Sequence, residues 1–216
     1  MTSVTISASF GARGDRIGRA VAERLGLVFL DRAIPLAAAR RLHLSGVAPE
    51  DFDERAPSFW DRFVASFSET EAGVAIVGEA VEDVATPEDF RAATEAVLRE
   101  AADGAGAVIL GRAGMVVLRD RDDVLRVRLD GPVERRIARA VADGLDEQTA
   151  RQMQREVDST RERYASYFYK AHQQDSRLYH LVLDTTAFEL EVCVELVERA
   201  ARAIGATSAR GDRRAP

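Results

Sequence analysis

Short strand-like runs alternate with helical segments along the chain, and this alternation constrains the fold more than any other feature. Residues 4–10 alternate between apolar and polar side chains, which is the period-2 pattern of a strand. Apolar runs at 27–30, 107–110, 124–129 and 181–183 are predicted to be the other strands. Five strands alternating with helices predict an α/β fold with three layers and a mostly parallel five-stranded sheet.

Apolar residues that recur every three or four positions predict the helices between these strands. Ile17, Val21 and Leu25 lie on one face of the first helix, which Gly26 is expected to end. Pro87, followed by two acidic residues, is typical of a helix start. Three later helices are predicted. The first has an apolar face at 133, 137 and 141, and the second is a highly charged stretch from 146 to about 170. The apolar face of the last helix consists of Val192, Leu196, Val197, Ala200 and Ile204.

The ligands of parallel α/β sheets bind beyond the carboxyl ends of the strands. Four groups of residues follow predicted strands at that edge, namely residues 11–16, Asp31, Gly111 with Arg112, and Asp184. The first group joins a strand to a helix through a glycine-containing turn. Backbone N–H groups and a helix N-terminus together favour an anion there, so this group has the layout of a phosphate-binding loop.

This first loop lacks parts of the full P-loop signature. No lysine follows Gly14, and neither serine nor threonine is present to hold Mg²⁺. Arg13, Arg16 and Arg19 could supply the missing positive charge, or could belong to a solvated helix face. The residues alone therefore leave open whether the loop binds phosphate or is a strand-to-helix turn without a ligand.

Basic residues are almost all arginine, since Lys170 is the only lysine among 30 basic side chains. Any mechanism that needs a lysine must use Lys170 or do without one. Lys170 ends the predicted charged helix. It either lies at an exposed helix end without a ligand or reaches the donor phosphates with its positive charge.

Charge and cysteine content exclude several classes of protein. With 36 acidic residues and a net charge of −6, a general electrostatic attraction to nucleic acid or to an anionic membrane is not expected. Cys193 is the only cysteine, which excludes an internal disulfide and a cysteine-based zinc site. No apolar run approaches the roughly 20 residues of a membrane span, and the first residues lack the layout of a signal peptide. We therefore expect a cytoplasmic protein.

A succession of short stretches in matching order resembles a known family. The stretches are residues 4–7, 10–11, 14, 17–19, 22–26, 52–55, 57–58, 108–112, 118–121, 124–127 and 179–185. Together they resemble the cytidylate-kinase-like family, a bacterial branch of the P-loop nucleoside monophosphate kinases. The resemblance covers roughly residues 4 to 204.

The resemblance implies a P-loop nucleoside monophosphate kinase fold with two inserts in a single domain. It places the domain at 1–208, with its core at 1–43, 104–142 and 179–208, an acceptor-binding insert at 44–103, and a lid at 143–178. The polar tail 209–216 is expected to be disordered.

The resemblance also implies a site for ATP, Mg²⁺ and an acceptor nucleotide, most directly CMP or dCMP. It places the donor phosphates on Gly11, Ala12, Arg13, Gly14, Asp15 and Arg16, and the acceptor on Asp31, Arg40, Arg41 and Arg112. Arg112, Arg161 and Asp158 would be the catalytic residues, and no side chain is assigned to a metal. Asp158 and Arg161 lie one helical turn apart and could instead form an ordinary ion pair.

The chain departs from the family pattern at positions that bear on catalysis. Gly14 stands where the P-loop lysine would be, and Leu110 stands where classical enzymes have an aspartate. Ala37 replaces an acceptor-binding arginine, although Arg40 or Arg41 lies in the next turn. Three hypotheses follow: a phosphotransferase for CMP or dCMP, a catalytically impaired nucleotide-binding protein, or a kinase for another small acceptor.

Overall fold

Five parallel strands form one sheet, which confirms the predicted α/β class. The structure, a computed structural model, describes residues 2–31 and 87–212. The order across the sheet places the first strand at the centre and the fifth at one edge. In that order the strands are β2 (Val28–Leu30), β3 (Ala107–Leu110), β1 (Ser3–Ala8), β4 (Val124–Asp130) and β5 (Leu181–Asp184).

Six helices connect or follow these strands in the described part of the chain. They are α1 (Gly14–Leu25), α2 (Pro87–Asp103), α3 (Gly114–Val117), α4 (Val133–Ala142), α5 (Glu147–Tyr169) and α6 (Leu190–Asp212). The predicted ends of α1 and α5 are confirmed. Gly26 ends α1 with a φ of 66°, and the Asp146 side chain caps α5 by accepting the N–H of Thr149.

The chain divides into two units, one made of residues 1–31 and 98–216 and the other of residues 32–97. Only residues 87–97 of the second unit are described. Arg40, Arg41 and most of the predicted acceptor insert therefore lie outside the described residues. Residues 209–212, assigned to the tail from the sequence, form the end of α6.

The two faces of the sheet differ in chemistry. Val4 and Ile6 of β1 belong to the apolar core, on which α1 and α6 pack. Ser3, Thr5 and Ser7 on the other face of the strand are also buried, with at most 5% of each residue exposed. The alternation in β1 thus separates an apolar face from a polar face, and both are covered.

The predicted apolar faces of two helices are confirmed only in part: Ile137 of α4 and Val197, Ala200 and Ile204 of α6 pack in the core, but other predicted members do not. Val133 and Val141 of α4 are 42% and 38% exposed, whereas Arg136, Ile137 and Ala140 are buried. In α6 the residues that pack on the sheet are Cys193, Val194, Val197 and Ala201, while Val192 and Leu196 are exposed. Two apolar stripes run side by side on α6, so spacing alone does not decide which one the neighbouring elements cover.

No helix in residues 2–31 and 87–212 combines the length and the apolar character that crossing a membrane requires.

Candidate functional site

The loop between β1 and α1 is a tight turn at the carboxyl edge of the sheet. The N–H of Ala12 donates to the carbonyl of Ser9 at 3.1 Å, and Gly11 has a φ of 74°. A Cβ on Gly11 would lie 2.4 Å from the carbonyl oxygen of Arg136, so only glycine allows this approach. The turn directs the first N–H groups of α1, which have no acceptor within the helix, toward this edge.

Gly14, the position of the P-loop lysine in classical enzymes, is tightly packed. A Cβ placed there would lie 2.5 Å from the Cβ of Ala8 at the end of β1. No side chain fits this position unless the backbone moves. A positive charge for this loop must therefore come from other positions.

A small polar cleft, partly open to solvent, lies beside the loop where β1 and β4 end. Helix α5 and the segment after it form the opposite wall. The residues that line the cleft are Ala8, Ser9, Arg128, Asp130, Arg136, Asp158, Arg161, Glu162, Gln173 and Gln174. The cleft thus brings together the beginning of the first loop, the end of β4 and the predicted lid.

Asp158 of α5 is bonded directly to the loop. Its Oδ1 accepts the backbone N–H of Phe10 at 2.8 Å, and its Oδ2 accepts Nη1 of Arg136 at 2.9 Å. The same Nη1 donates to the carbonyl of Phe10 at 2.7 Å, and Gln154 donates to Oδ2 at 3.1 Å. We call Phe10, Arg136 and Asp158 the cleft-side cluster. It joins the loop, α4 and α5.

Arg161 lies one turn further along α5 and donates from Nη1 to the carbonyl of Ala8. The predicted pair, Asp158 and Arg161, therefore lies together at the cleft, where Asp158 contacts the first loop and Arg161 contacts the end of β1. The catalytic roles of both residues stay predictions.

The floor of the cleft is a buried hydrogen-bonded group at the end of β4. Arg128, whose side chain is 8% exposed, donates to Oγ of Ser9 at 2.7 Å, to Asp130 at 3.0 Å and to Gln173 at 3.2 Å. Burial alone would raise the pKa of Asp130, but the hydrogen bond with Ser9 and the charge of Arg128 outweigh it and lower that pKa. Asp130 is therefore held as a carboxylate.

Arg112 stands in a strained turn after β3. Gly111, Arg112 and Ala113 have consecutive positive φ values of 78°, 57° and 53°. The left-handed conformation costs a residue with a Cβ about 1–2 kcal/mol. Such strain concentrates at functional sites, so the geometry keeps Arg112 as a candidate. Arg112 is not among the residues that line the cleft.

A second group of charges lies at the start of α1 and does not line the cleft. Arg13, the N-cap of α1, pairs with Asp143, the C-cap of α4, through contacts of 2.7 and 3.1 Å. Nη1 of Arg16 lies 3.5 Å from the same carboxylate. We call Arg13 and Asp143 the outer pair.

Sequence reasoning missed Arg136, Arg128 and Asp143 as site residues. For the two arginines, the residue type alone did not indicate a site, because 29 arginines are spread over the chain. A signal did exist for Arg128, since its charge interrupts an apolar strand. Of the remaining predicted residues, Asp31 directly follows β2, whereas the exposed Lys170 ends α5 with a φ of 51° and does not line the cleft.

The described residues do not form a metal-binding cluster made of protein side chains alone. No group of three His, Cys, Asp or Glu side chains that could hold a metal ion occurs among them. The carboxylates of Asp130 and Asp158 are bonded to arginines, which leaves them poorly suited to a cation.

Comparisons with known proteins were made for sequence and for structure. The model of the cytidylate kinase-like family matches residues 3–187, which confirms the resemblance seen in the sequence. A search among curated proteins found no matching relative.

Several solved structures are similar to this chain in fold. An uncharacterized protein from Eubacterium ventriosum has 16% identity and a TM-score of 0.64, over 94% of this chain and 99% of that chain. A shikimate kinase from Bacteroides thetaiotaomicron has 13% identity and a TM-score of 0.48, over 93% and 98% of the two chains. A deoxyadenosine kinase from M. mycoides has 11% identity and a TM-score of 0.43, over 94% and 100%.

Proposed function

Because the chain belongs to the cytidylate kinase-like family, we propose that it transfers the γ-phosphoryl group of ATP to CMP or dCMP in the cytoplasm. The observation that carries the proposal is that Asp158 and Arg161 line one cleft together with the end of β1 and the beginning of the first loop, at the carboxyl edge of the sheet. Residues 11–16 themselves do not line this cleft. In parallel α/β sheets this edge is where ligands bind.

Phosphoryl transfer depends on positioning and on stabilising negative charge, with little covalent help from the protein. The N–H groups at the start of α1 would hold the donor phosphates. Arg161 would place a guanidinium beside the transferred group, and Arg112 would bind the acceptor phosphate. Asp158 would act by orienting the loop, since it accepts the N–H of Phe10.

The charge that a P-loop lysine normally supplies would come from arginines in this chain. Gly14 is packed against Ala8 and leaves no room for a lysine side chain. Arginine binds phosphate through a planar fork of donors, so it can replace the lysine's charge, although not its compact shape. Mg²⁺ enters the proposal together with ATP, whose phosphates and water supply most of its ligands at sites of this kind.

A coupled ADP-release assay tests the proposal with Mg-ATP and a panel of CMP, dCMP, UMP, AMP and GMP. We expect turnover with CMP or dCMP well above the blank without acceptor. Arg112→Ala should abolish this turnover, whereas Arg119→Ala, an exposed arginine paired with Asp120, is the matched control and should retain it. A flat panel, or full activity in Arg112→Ala, would contradict the assignment.

A second candidate is a nucleotide-binding protein without phosphotransferase activity. The absent lysine and the engagement of Arg13 by Asp143 favour it. It predicts that ATP raises the melting temperature without CMP-dependent ADP release. At 100 times its Kd a ligand adds about 2.7 kcal/mol to the free energy of unfolding.

A third candidate, a kinase for another small acceptor, depends on the insert that lies mostly outside the described residues. ADP release with a non-nucleotide acceptor, and none across the nucleotide panel, would favour it.

A further inference from the structure

The outer pair joins a cation of the first loop to a carboxylate of the same chain. Nε of Arg13 donates to Oδ2 of Asp143 at 3.1 Å, and Nη2 donates to Oδ1 at 2.7 Å. One edge of the guanidinium, formed by Nε and Nη2, thus makes two parallel hydrogen bonds, which is the bidentate fashion in which arginine also binds a phosphate. Arg16 contributes a second positive charge 3.5 Å from Oδ1.

The location of Asp143 is not explained by the helix that carries it. Asp143 is the C-cap of α4, where the helix dipole is negative and a carboxylate is disfavoured. Arg13, the N-cap of α1, and Arg16, in the first turn of that helix, account for the position of Asp143 instead. The carboxylate lies where an anion can be shared by Arg13 and Arg16, next to the N-terminus of α1.

The outer pair is accessible to solvent and can therefore exchange partners. The side chains of Arg13 and Asp143 are 25% and 28% exposed, and ion pairs of this kind contribute little to stability. A polyphosphate carries several negative charges and more acceptor oxygens than one carboxylate. It would replace Asp143 on Arg13 at little cost to the fold.

We propose that Arg13 is the arginine that binds the donor phosphates, and that Asp143 occupies its guanidinium until nucleotide displaces it. Asp143 is thus a built-in competitor that weakens nucleotide binding. Because Asp143 lies between α4 and α5, displacement also releases a contact between the loop and the start of the predicted lid. This inference rests on the proposed function and names the residue that takes over the charge of the missing lysine.

Isothermal titration calorimetry with ATP, and separately with inorganic tripolyphosphate, tests the competition. Asp143→Asn removes the competing charge and should tighten binding of both probes about two- to fivefold, the factor expected for a partly exposed ion pair. Arg13→Gln should weaken both about tenfold or more, since it removes a charge-assisted bond to phosphate. In the Arg13→Gln background, Asp143→Asn should have a much smaller effect than it has alone.

Asp123→Asn is a closely matched control. Asp123 also accepts two hydrogen bonds from Nε and Nη2 of one arginine, Arg121, at 2.8 and 2.7 Å, and the side chains of Asp123 and Arg121 are 25% and 27% exposed. This pair precedes β4, at the edge of the sheet opposite the loop, so the variant changes net charge equally without touching the site. Its affinity should equal that of the wild type.

The outcomes separate this inference from the proposed function. Equal affinities for the wild type and Asp143→Asn would overturn the inference while nucleotide binding stands. Equal tightening in Asp143→Asn and Asp123→Asn would also overturn it, because net charge would then be the cause. If none of the proteins bound ATP, the inference and the proposed function would both be contradicted.

Discussion

The cleft-side cluster and the outer pair both connect the first loop to the segment made of α4 and α5, but they differ in burial. In the cleft-side cluster, the Arg136 side chain is 5% exposed and has protein acceptors in Phe10, Gly131 and Asp158. Its partner Asp158 is 23% exposed, so the difference in burial lies in the arginine. The outer pair is 25% and 28% exposed and makes its contacts near solvent.

This difference indicates which contact holds the loop in place and which contact a ligand can replace. Removing one member of a buried ion pair leaves a charge without compensation, whereas an exposed pair is replaced by water at small cost. We infer that the cleft-side cluster fixes the loop geometry and that the outer pair is open to displacement by a ligand.

The largest effect is expected from Arg136→Met, which keeps most of the side-chain length and removes the charge. The variant leaves Asp158 and the Phe10 carbonyl without their shared donor, so the free energy of unfolding should fall by about 3–5 kcal/mol. Urea denaturation measures it. Arg151→Met, which breaks exposed pairs with Glu134 and Glu147, is the control and should unfold close to the wild type. Equal losses in both variants would remove the distinction between the two kinds of contact.

A somewhat smaller effect is expected from Gly11→Ala, compared with Gly26→Ala. Both glycines have positive φ values, 74° and 66°, but a Cβ at Gly26 meets nothing within 4 Å, whereas one at Gly11 meets the carbonyl of Arg136. Gly26→Ala should cost about 1 kcal/mol for conformation alone. Gly11→Ala should cost about 2–4 kcal/mol, because overpacking adds to it. Thermal unfolding of the two variants checks the difference, and equal shifts would contradict the close approach.

An intermediate effect with a defined pH dependence is expected at the floor of the cleft. The pKa of Asp130 is lowered in the folded protein, so its ionised form stabilises the fold above the unfolded pKa of about 3.9. This contribution is lost as the pH falls through the folded pKa. Asp130→Asn should cost about 1 kcal/mol at pH 7, because the side chain is 34% exposed and solvent screens part of its charge. Unfolding measured from pH 7 to pH 2 should show the two proteins converging in acid, and a constant gap would contradict the account.

The smallest effect on stability is expected from Asp143→Asn. The outer pair is partly exposed, so the free energy of unfolding should change by less than about 1 kcal/mol. The same denaturation experiment measures it. A loss as large as that of Arg136→Met would show that the outer pair holds the loop, and the comparison between the two contacts would fail.

The sequence predicted the sheet and the first helix well, because both depend on local patterns. The alternation in β1 and the spacing of Ile17 and Val21 reflect burial directly, and Gly26 ends α1 as expected. The buried faces of α4 and α6 were predicted less well. Which of two adjacent apolar stripes is buried depends on the neighbouring elements. A buried arginine such as Arg136 is also missed, because a pattern of apolar residues does not include it.

From the residue pattern alone, the site could be predicted only where it follows strand ends. Asp158 and Arg161 of α5 came from the family resemblance instead, and the structure brings them to the first loop and to the end of β1. Asp143 could not be found from the sequence, because its partner Arg13 is 130 positions away and either charge alone is typical of a solvated helix end. Asp143 and Arg13 become neighbours only in the folded chain.

The central claim is that this cleft transfers a phosphoryl group to a nucleoside monophosphate. The most direct measurement follows the γ-phosphoryl label of ATP into CDP when CMP is the acceptor, with ADP counted in parallel. The account predicts equal amounts of labelled CDP and ADP from the wild type and none from Arg112→Ala. ADP without labelled CDP, or no product at all from a protein that binds ATP, would contradict it.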